Sequence, residues 1–363
     1  MTNIKHIHEY RDPELSRNLV DKIKAISRKQ VRLMEVCGTH TMAIFRSGIR
    51  TLLPETITLL SGPGCPVCVT SQQEIDAFIE VARVKDVIVA TFGDLLRVPG
   101  TCSSLQAERA EGRDVRIVYS ASDALDLAES NPQKQVVFLG VGFETTAPTI
   151  AASIVEAQKR ELKNFSVLSA HKLVPPALNA LMAVDGVRIA GFICPGHVSV
   201  IIGTNAYLPV VEKYHTPCVV SGFEPADVLQ AIYMLVKQIE EGDAKLQNAY
   251  GRAVTLKGNE KARQVMYHVF DLIDAHWRGL GMIPQSGLKI QREFDSFNAA
   301  KRFALSVPDS KEPKGCACGE ILMGLKTPLE CPLFRKACTP GQPVGPCMVS
   351  TEGTCAAFYN YHA

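Results

Sequence analysis

The sequence predicts an α/β fold: two blocks of parallel sheet, followed by a mostly helical or irregular C-terminal unit able to hold a metal centre. Three observations predict it. Over the first 220 residues, short apolar and β-branched runs alternate with helical stretches, the pattern of parallel strands covered on both faces. Asn131-Pro132 punctuates that alternation and divides it near 120–135. Beyond Pro308 the chain is rich in Pro, Gly and Cys and has no clean periodicity. Such a segment buries little apolar surface unaided, so a metal centre would be its natural staple.

Taken in order, strands are expected at 32–37, 57–61, 87–92, 115–119, 136–140, 165–170, 189–194 and 218–221. Helices are expected between them at 72–84, 147–160 and 198–211. After Cys218 the texture changes. Residues 225–240 read as an amphipathic helix that opens on Pro225 and carries Val228, Leu229, Ile232, Leu235, Val236 and Ile239 on one face. A second helix is expected over 259–275. The expected units are therefore 20–125, 126–222, and 1–19 together with 223–363.

Composition narrows the functional classes. The chain has 363 residues, 46% hydrophobic and 21% charged, as in ordinary soluble globular proteins and unlike disordered chains. Lys plus Arg number 39 against 37 for Asp plus Glu, so nothing points to nucleic acid as a partner. The N-terminal residues lack the apolar stretch of a secretory signal, and runs such as 136–141 are too short to span a bilayer. A cytoplasmic location is expected, with no membrane partner. In that reducing compartment the twelve cysteines point to metal or redox chemistry rather than to disulfides.

Six of the twelve cysteines, Cys316, Cys318, Cys331, Cys338, Cys347 and Cys355, fall in the last 48 residues. Cys318, Cys331, Cys338 and Cys355 are separated by twelve, six and sixteen residues, and soft thiolates in an irregular segment suit a [4Fe–4S] cluster. Zinc is the alternative, although its structural sites favour closely paired cysteines. Cys316 and Cys347 are substitute ligands. Cys65 and Cys68 flank Pro66-Val67 in a glycine–proline turn, and a C-x-x-C pair can pass two electrons or hold a thiophilic metal.

Cys37 and His40 stand on another turn, where thiolate and imidazole can bind one iron, or His40 can carry the thiol's proton; a buried cysteine beside a capping histidine is the plainer alternative. Glu144, Thr145 and Thr146 read first as the N-terminal cap of the 147–160 helix. His197, after Pro195-Gly196, is a proton carrier or a turn cap. Cys102, Cys194 and Cys218 read as small buried residues. The strand-end motifs at Cys37–His40, Gly62–Cys68, Gly142–Thr146 and Pro195–Ser199 are expected to converge on a cleft, since open α/β sheets bind ligands at the carboxyl ends of their strands.

Together these motifs resemble the hydrogenase maturation factor HypD family along nearly the whole chain. The resemblance runs from Met34-Glu35-Val36-Cys37-Gly38-Thr39-His40 through Gly62 to Cys68, Thr91-Phe92-Gly93-Asp94 and Gly142 to Thr146. It continues through Pro195 to Ser199, Trp277-Arg278-Gly279-Leu280-Gly281, Cys318-Gly319-Glu320 and Cys331-Pro332-Leu333-Phe334, and ends in Ser350 to Ala357. It implies two Rossmann-like domains plus a cluster-bearing domain, and a role in building the Fe(CN)2CO unit of [NiFe]-hydrogenase. The implied partners are HypC, which shares the iron, HypE with HypF as cyanide donor, and the hydrogenase large-subunit precursor, reached through HypC.

By the same resemblance, Cys37 would ligate the iron under construction, and Cys65 and Cys68 would be a redox pair. Cys318, Cys331, Cys338 and Cys355 would hold the [4Fe–4S] cluster, and His40, Glu144 and His197 would line the cleft. Met42 stands where some relatives have a second histidine, and Cys316 and Cys347 look like extras. Two other functional classes compete: a free-standing thiol–disulfide oxidoreductase and a structural metal-binding interaction module. An assembly scaffold of this kind is an enzyme only in part, since it builds a cofactor rather than turning over a substrate.

Overall fold

A computed structural model of the chain describes residues 8–305, 307 and 310–362. Its strands are β1 (Val31–Glu35), β2 (Ile57–Ser61), β3 (Val87–Thr91), β4 (Asp114–Ile117), β5 (Gln135–Gly140), β6 (Phe165–Ser169), β7 (Gly191–Pro195), β8 (Cys218–Ser221), β9 (Leu246–Asn248), β10 (Phe270–Trp277) and β11 (Gly281–Ile290). Two sheets are wholly parallel, in the orders β2-β1-β7-β8-β9 and β4-β3-β5-β6, while β10 and β11 form an antiparallel hairpin. Every residue of β3, β7 and β8 is buried, which is why these strands read as unbroken apolar runs.

The expected division near 120–135 does not separate the sheets. β5 pairs with β3, Val87 opposite Gln135, and β7 pairs with β1, Leu33 opposite Gly191. The chain leaves the first sheet after the helix Gln72–Arg83, builds the whole second sheet, and returns at β7. Asn131-Pro132 only ends the helix Ala121–Ser130 within one crossover. A proline turn marks a crossover as readily as a boundary.

The expected unit 223–363 is likewise not one body, and it is not only helical or irregular. Helix Pro225–Glu241 buries Val228, Leu229, Ile232, Leu235 and Val236 with Leu33, Ile193 and Val219 of the first sheet. Each such side chain contributes about 1.5–3 kcal/mol when fully buried. The second helix stops at Val269, and Phe270–Trp277 continues as a strand. The tight turn at Arg278-Gly279-Leu280 folds that strand back onto β11, with Gly279 at φ +77° and Gly281 at φ +73°, which a continuing helix cannot accommodate. Met266, Val269, Phe270, Leu288 and Ile290 pack with Ile150, Ile154 and Phe165, so this stretch belongs to the second sheet.

The 198–211 helix also divides, into Gly196–Ile202 and Leu208–Tyr214, because Gly203 turns at φ +79° beneath the backbone of 256–258. The Cys-rich segment carries only short helices, among them Cys318–Leu322 and Thr354–Tyr361, and shares a core with Val67 and Cys68. Phe358 packs edge-on against Phe45 at 4.8 Å. Of the expected third unit, residues 1–7, 306, 308, 309 and 363 lie outside those described. Among the described residues, no helix is long and apolar enough to cross a membrane.

Candidate metal and thiol site

The carboxyl ends of the two parallel sheets face a common cleft of about 360 Å³. Cys65 enters it from the end of β2, Asp94 from the end of β3, Tyr119 from the end of β4, and Thr145 and Thr146 from the end of β5; Glu352 closes it from the C-terminal segment. Of the four strand-end motifs expected to converge there, only Gly62–Cys68 and Gly142–Thr146 line the cleft; Cys37–His40 and Pro195–Ser199 do not.

Cys37 follows β1 and precedes the helix Gly38–Arg46 as its cap residue, in extended conformation. Gly38 N–H donates to Gly64 O at 3.0 Å, and a Cβ on Gly64 would stand 2.1 Å from Cys37 N. The turns bearing Cys37 and Cys65 are thus pressed backbone to backbone, and only glycine permits it. Below them, Cys37 N–H donates to Glu35 Oε2 at 3.2 Å and Thr41 Oγ1 donates to Glu35 Oε1 at 2.6 Å. Burial pushes Glu35 up to about 7. Burial also pushes the Cys37 thiol up to about 12, against the backbone N–H of His40, and the charges of Glu352 and Glu35 add to the rise. Without a bound cation this thiol stays protonated.

His40 is fully buried, with Nε2 at 2.9 Å from Gly222 O. Because a carbonyl only accepts, Nε2 carries the proton; Nδ1, buried and without a partner among the described residues, keeps its lone pair. Burial lowers His40 to about 4, so it is neutral near pH 7. Its ring lies 4.8 Å from Phe223, and His197 stacks on the same phenyl ring at 3.9 Å. Burial lowers His197 while Glu352 raises it.

His40 and His197 are therefore joined through Phe223, but neither is among the side chains lining the cleft. Glu144 is not there either: its carboxylate accepts Val174 N–H at 3.0 and 3.2 Å. The helix Val174–Met182 begins Val-Pro-Pro, so Val174 supplies the only N–H in its first three residues, and Glu144 satisfies it. Glu144 thus serves a different helix from the one expected, and Thr146, the cap of Ala147–Lys159, makes no side-chain capping bond. Burial pushes Glu144 up to about 8.

From Cys65 a succession of thiols leads inward. Cys68, fully buried, is lowered by contact with Cys347, and raised well above its ordinary value by contact with Cys65 and by burial. Cys347 in turn meets Cys318, Cys355 and Cys68, with Cys318 Sγ at 2.7 Å from Cys347 Sγ. Cys316, Cys318, Cys331, Cys338, Cys347 and Cys355 all line one small cavity, closed by Ile321, Leu333, Phe334 and Met348. Val344 N–H donates to Cys338 Sγ at 3.3 Å, leaving the sulfur facing Cys355 and Cys316.

The donor set is sulfur in apolar surroundings, which fits a thiophilic centre. Among the described residues, no set of three or more His, Cys, Asp or Glu side chains is already arranged to hold a single metal ion.

Cys194 and Cys218 are buried as expected, whereas Cys102 is exposed on the loop before helix Leu105–Ala110. The residues that sequence reasoning missed are Phe223 and Glu352. Glu352 accepts Thr39 Oγ1 at 2.7 Å beside the Cys37 turn and also lines the cleft. Its signal was its place in Ser350-Thr351-Glu352-Gly353, close to Cys355. Phe223 had the signal of following a glycine at the end of β8. Cys347, expected as a substitute ligand, lines the cavity and also meets Cys68.

Residues 14–362 match the HypD family, described as the hydrogenase formation hypA family. The chain is 49% identical to the hydrogenase expression/formation protein HupD of Azotobacter chroococcum mcd 1, across 99% of this chain and 97% of that protein. It is 48% identical to the hydrogenase maturation factor HypD of Azotobacter vinelandii and 46% identical to that of Cupriavidus necator, each across 99% of this chain and 97% of the relative. With nearly every residue aligned and almost half of them identical, the chain belongs to the HypD family.

Proposed function

We propose that the chain is a hydrogenase maturation factor that serves as the scaffold on which the Fe(CN)2CO unit is assembled. The observation that carries this reading is the contact of the Cys37 turn with the Cys65 turn, at the outer end of a succession of thiols leading to the six-cysteine cavity. Iron is the cargo. Cys37 would hold it together with a cysteine of HypC, and a cationic iron at this point favours loss of a thiol proton that the apo protein retains. The lone pair on His40 Nδ1, and His197, stacked on Phe223, are the nearby neutral bases. Cyanide would come from HypE with HypF, and HypC would carry the product to the hydrogenase large-subunit precursor.

The Cys-rich cavity would hold a resident [4Fe–4S] cluster, which supplies single electrons when bound. Its ligands would be Cys318, Cys331, Cys338 and Cys355, with Cys316 and Cys347, which line the same cavity, as substitutes.

The test is infrared spectroscopy of the anaerobically purified complex with HypC. Bands in the CN and CO stretching region are expected for the wild type and should be absent in Cys37→Ala; unchanged bands in that variant would refute the scaffold role. Normal hydrogenase activity in a strain lacking the gene would refute maturation itself. A free-standing oxidoreductase would instead reduce disulfides rapidly without a partner, for which the burial of Cys68, Cys318 and Cys347 leaves only Cys65 at the cleft. A purely structural metal module would tolerate loss of Cys37, Cys65 or Cys68.

A further inference from the structure

Between the C-x-x-C turn and the Cys-rich cavity lies a buried cation. Arg278, at the turn between β10 and β11, is 1% exposed. Its N–H donates to Val69 O at 2.9 Å, its Nε to Thr70 O at 3.0 Å, and its Nη1 to Gln72 Oε1 at 3.1 Å. Those acceptors are two carbonyls and an amide, all neutral. Nη2 is buried and has no partner among the described residues. A guanidinium stays charged when buried, and an uncompensated buried charge is costly, so a counter-charge belongs nearby.

The backbone indicates where. Gly279 closes directly on Gly319, such that a Cβ on Gly279 would stand 2.2 Å from Gly319 Cα. This brings Arg278 to the start of the Cys-rich segment.

We propose that Arg278 is the positioning counter-charge of the cysteine cavity: it balances an anionic metal–thiolate centre there and favours that centre's reduced form. This deepens the cluster reading and rests on it. A centre that accepts one electron becomes more negative, so a fixed cation beside it stabilises the reduced state more than the oxidised state. Because the same side chain grips the carbonyl end of the Cys65–Cys68 turn, it also fixes the distance between the two thiol systems.

The test uses the full chain, reconstituted anaerobically with ferrous iron and sulfide and titrated against dithionite, with iron content and electron paramagnetic resonance as readouts. Arg278→Gln is expected to lower the reduced-to-oxidised ratio at fixed potential about tenfold, a shift of ~59 mV to more negative midpoint for one electron. Arg278→Lys, which keeps the charge, should stay near the wild type. Loss of the centre in Arg278→Gln with recovery in Arg278→Lys supports the proposal equally. Equal midpoints in wild type and Arg278→Gln overturn it, as does loss of the centre in both variants, which marks a packing role. A wild type that takes up no iron or sulfide defeats the cluster reading and the proposal together, which separates that failure from the others.

Discussion

The Cys318 and Cys347 thiols stand 2.7 Å apart across 29 residues of sequence, and Cys347 also reaches Cys68 in the turn after β2. The contact of Cys347 with Cys68 joins two parts of the chain far apart in sequence. One is a short helix fixed to the end of a parallel strand; the other is a segment with almost no regular structure of its own. A sulfur shared between them ties the cleft to the interior cavity.

Replacing Cys347 by Ser should therefore break communication between the cavity and Cys65–Cys68 without emptying the cavity. The expected result is near wild-type iron and sulfide in the reconstituted variant, but with Cys65 and Cys68 no longer protected from oxidation when the centre is reduced. Alkylation of reduced thiols followed by mass spectrometry reads this directly. Cys318→Ser, Cys331→Ser, Cys338→Ser and Cys355→Ser should each lose iron. If Cys347→Ser also comes out colourless, Cys347 is a ligand and the pairing with Cys318 is incidental.

Gly64→Ala tests the contact between the two turns. The new methyl would overlap Cys37 N, at 2.1 Å, and backbone cannot move aside as a flexible side chain can. Forcing atoms into a packed site costs about 1–3 kcal/mol. A fall in Tm of several degrees is expected, with loss of maturation beyond what the stability change explains. Gly112→Ala is a useful comparison because its Cβ would meet nothing within 4 Å, although its φ of +93° brings a backbone cost of its own. A Gly64→Ala protein as stable and active as the wild type would mean that the turns do not need this approach.

Much of the fold is legible in the sequence because each strand is short, apolar and flanked by helix, so local pattern suffices. Which strands share a sheet is not legible. The pairing of β1 with β7 spans more than 150 residues, and one parallel strand of Val and Ile matches another without a distinguishing register. β10 was hidden for another reason: Phe270 follows an amphipathic helix directly, and the exposed Asp271 and Leu272 interrupt any strict alternation. At the site, residues within one turn were legible, Cys37 with His40 and Cys65 with Cys68. Partners across space were not, as with Glu144 and Val174, or Cys318 and Cys347.

Glu144 gives the chain a pH dependence with a definite sign. Burial raises its carboxyl from 4.5 to about 8, so between those values the folded state binds a proton that the unfolded state has released. Its contribution to stability is complete below 4.5 and is lost as pH rises through about 8, on the order of a few kcal/mol in all. Glu35, raised to about 7, acts with the same sign, while His40 and His171, lowered to about 4 and about 3, act with the opposite sign. Glu144→Gln isolates the effect because its side-chain carbonyl still accepts Val174 N–H without ionising. The Tm of the variant minus that of the wild type should grow from pH 5 to pH 9. A flat difference would mean that Glu144 is not protonated in the folded protein.

Glu352 makes the last test, because it touches the Cys37 turn and the cleft together. Its carboxylate accepts the Thr39 hydroxyl at 2.7 Å and adds to the burial that holds the Cys37 thiol high. Glu352→Gln keeps an acceptor for Thr39 but removes the charge, so the Cys37 thiolate should become more populated at a given pH. In the metal-free protein, alkylation of Cys37 at pH 8 should speed up about threefold to tenfold, in keeping with a shift of up to roughly one unit. Cys102, exposed on the loop before helix Leu105–Ala110, should react at an unchanged rate and serves as the internal control. If Cys37 reacts no faster, the carboxylate acts on the cleft alone, and its hydrogen bond to Thr39 only anchors the C-terminal segment.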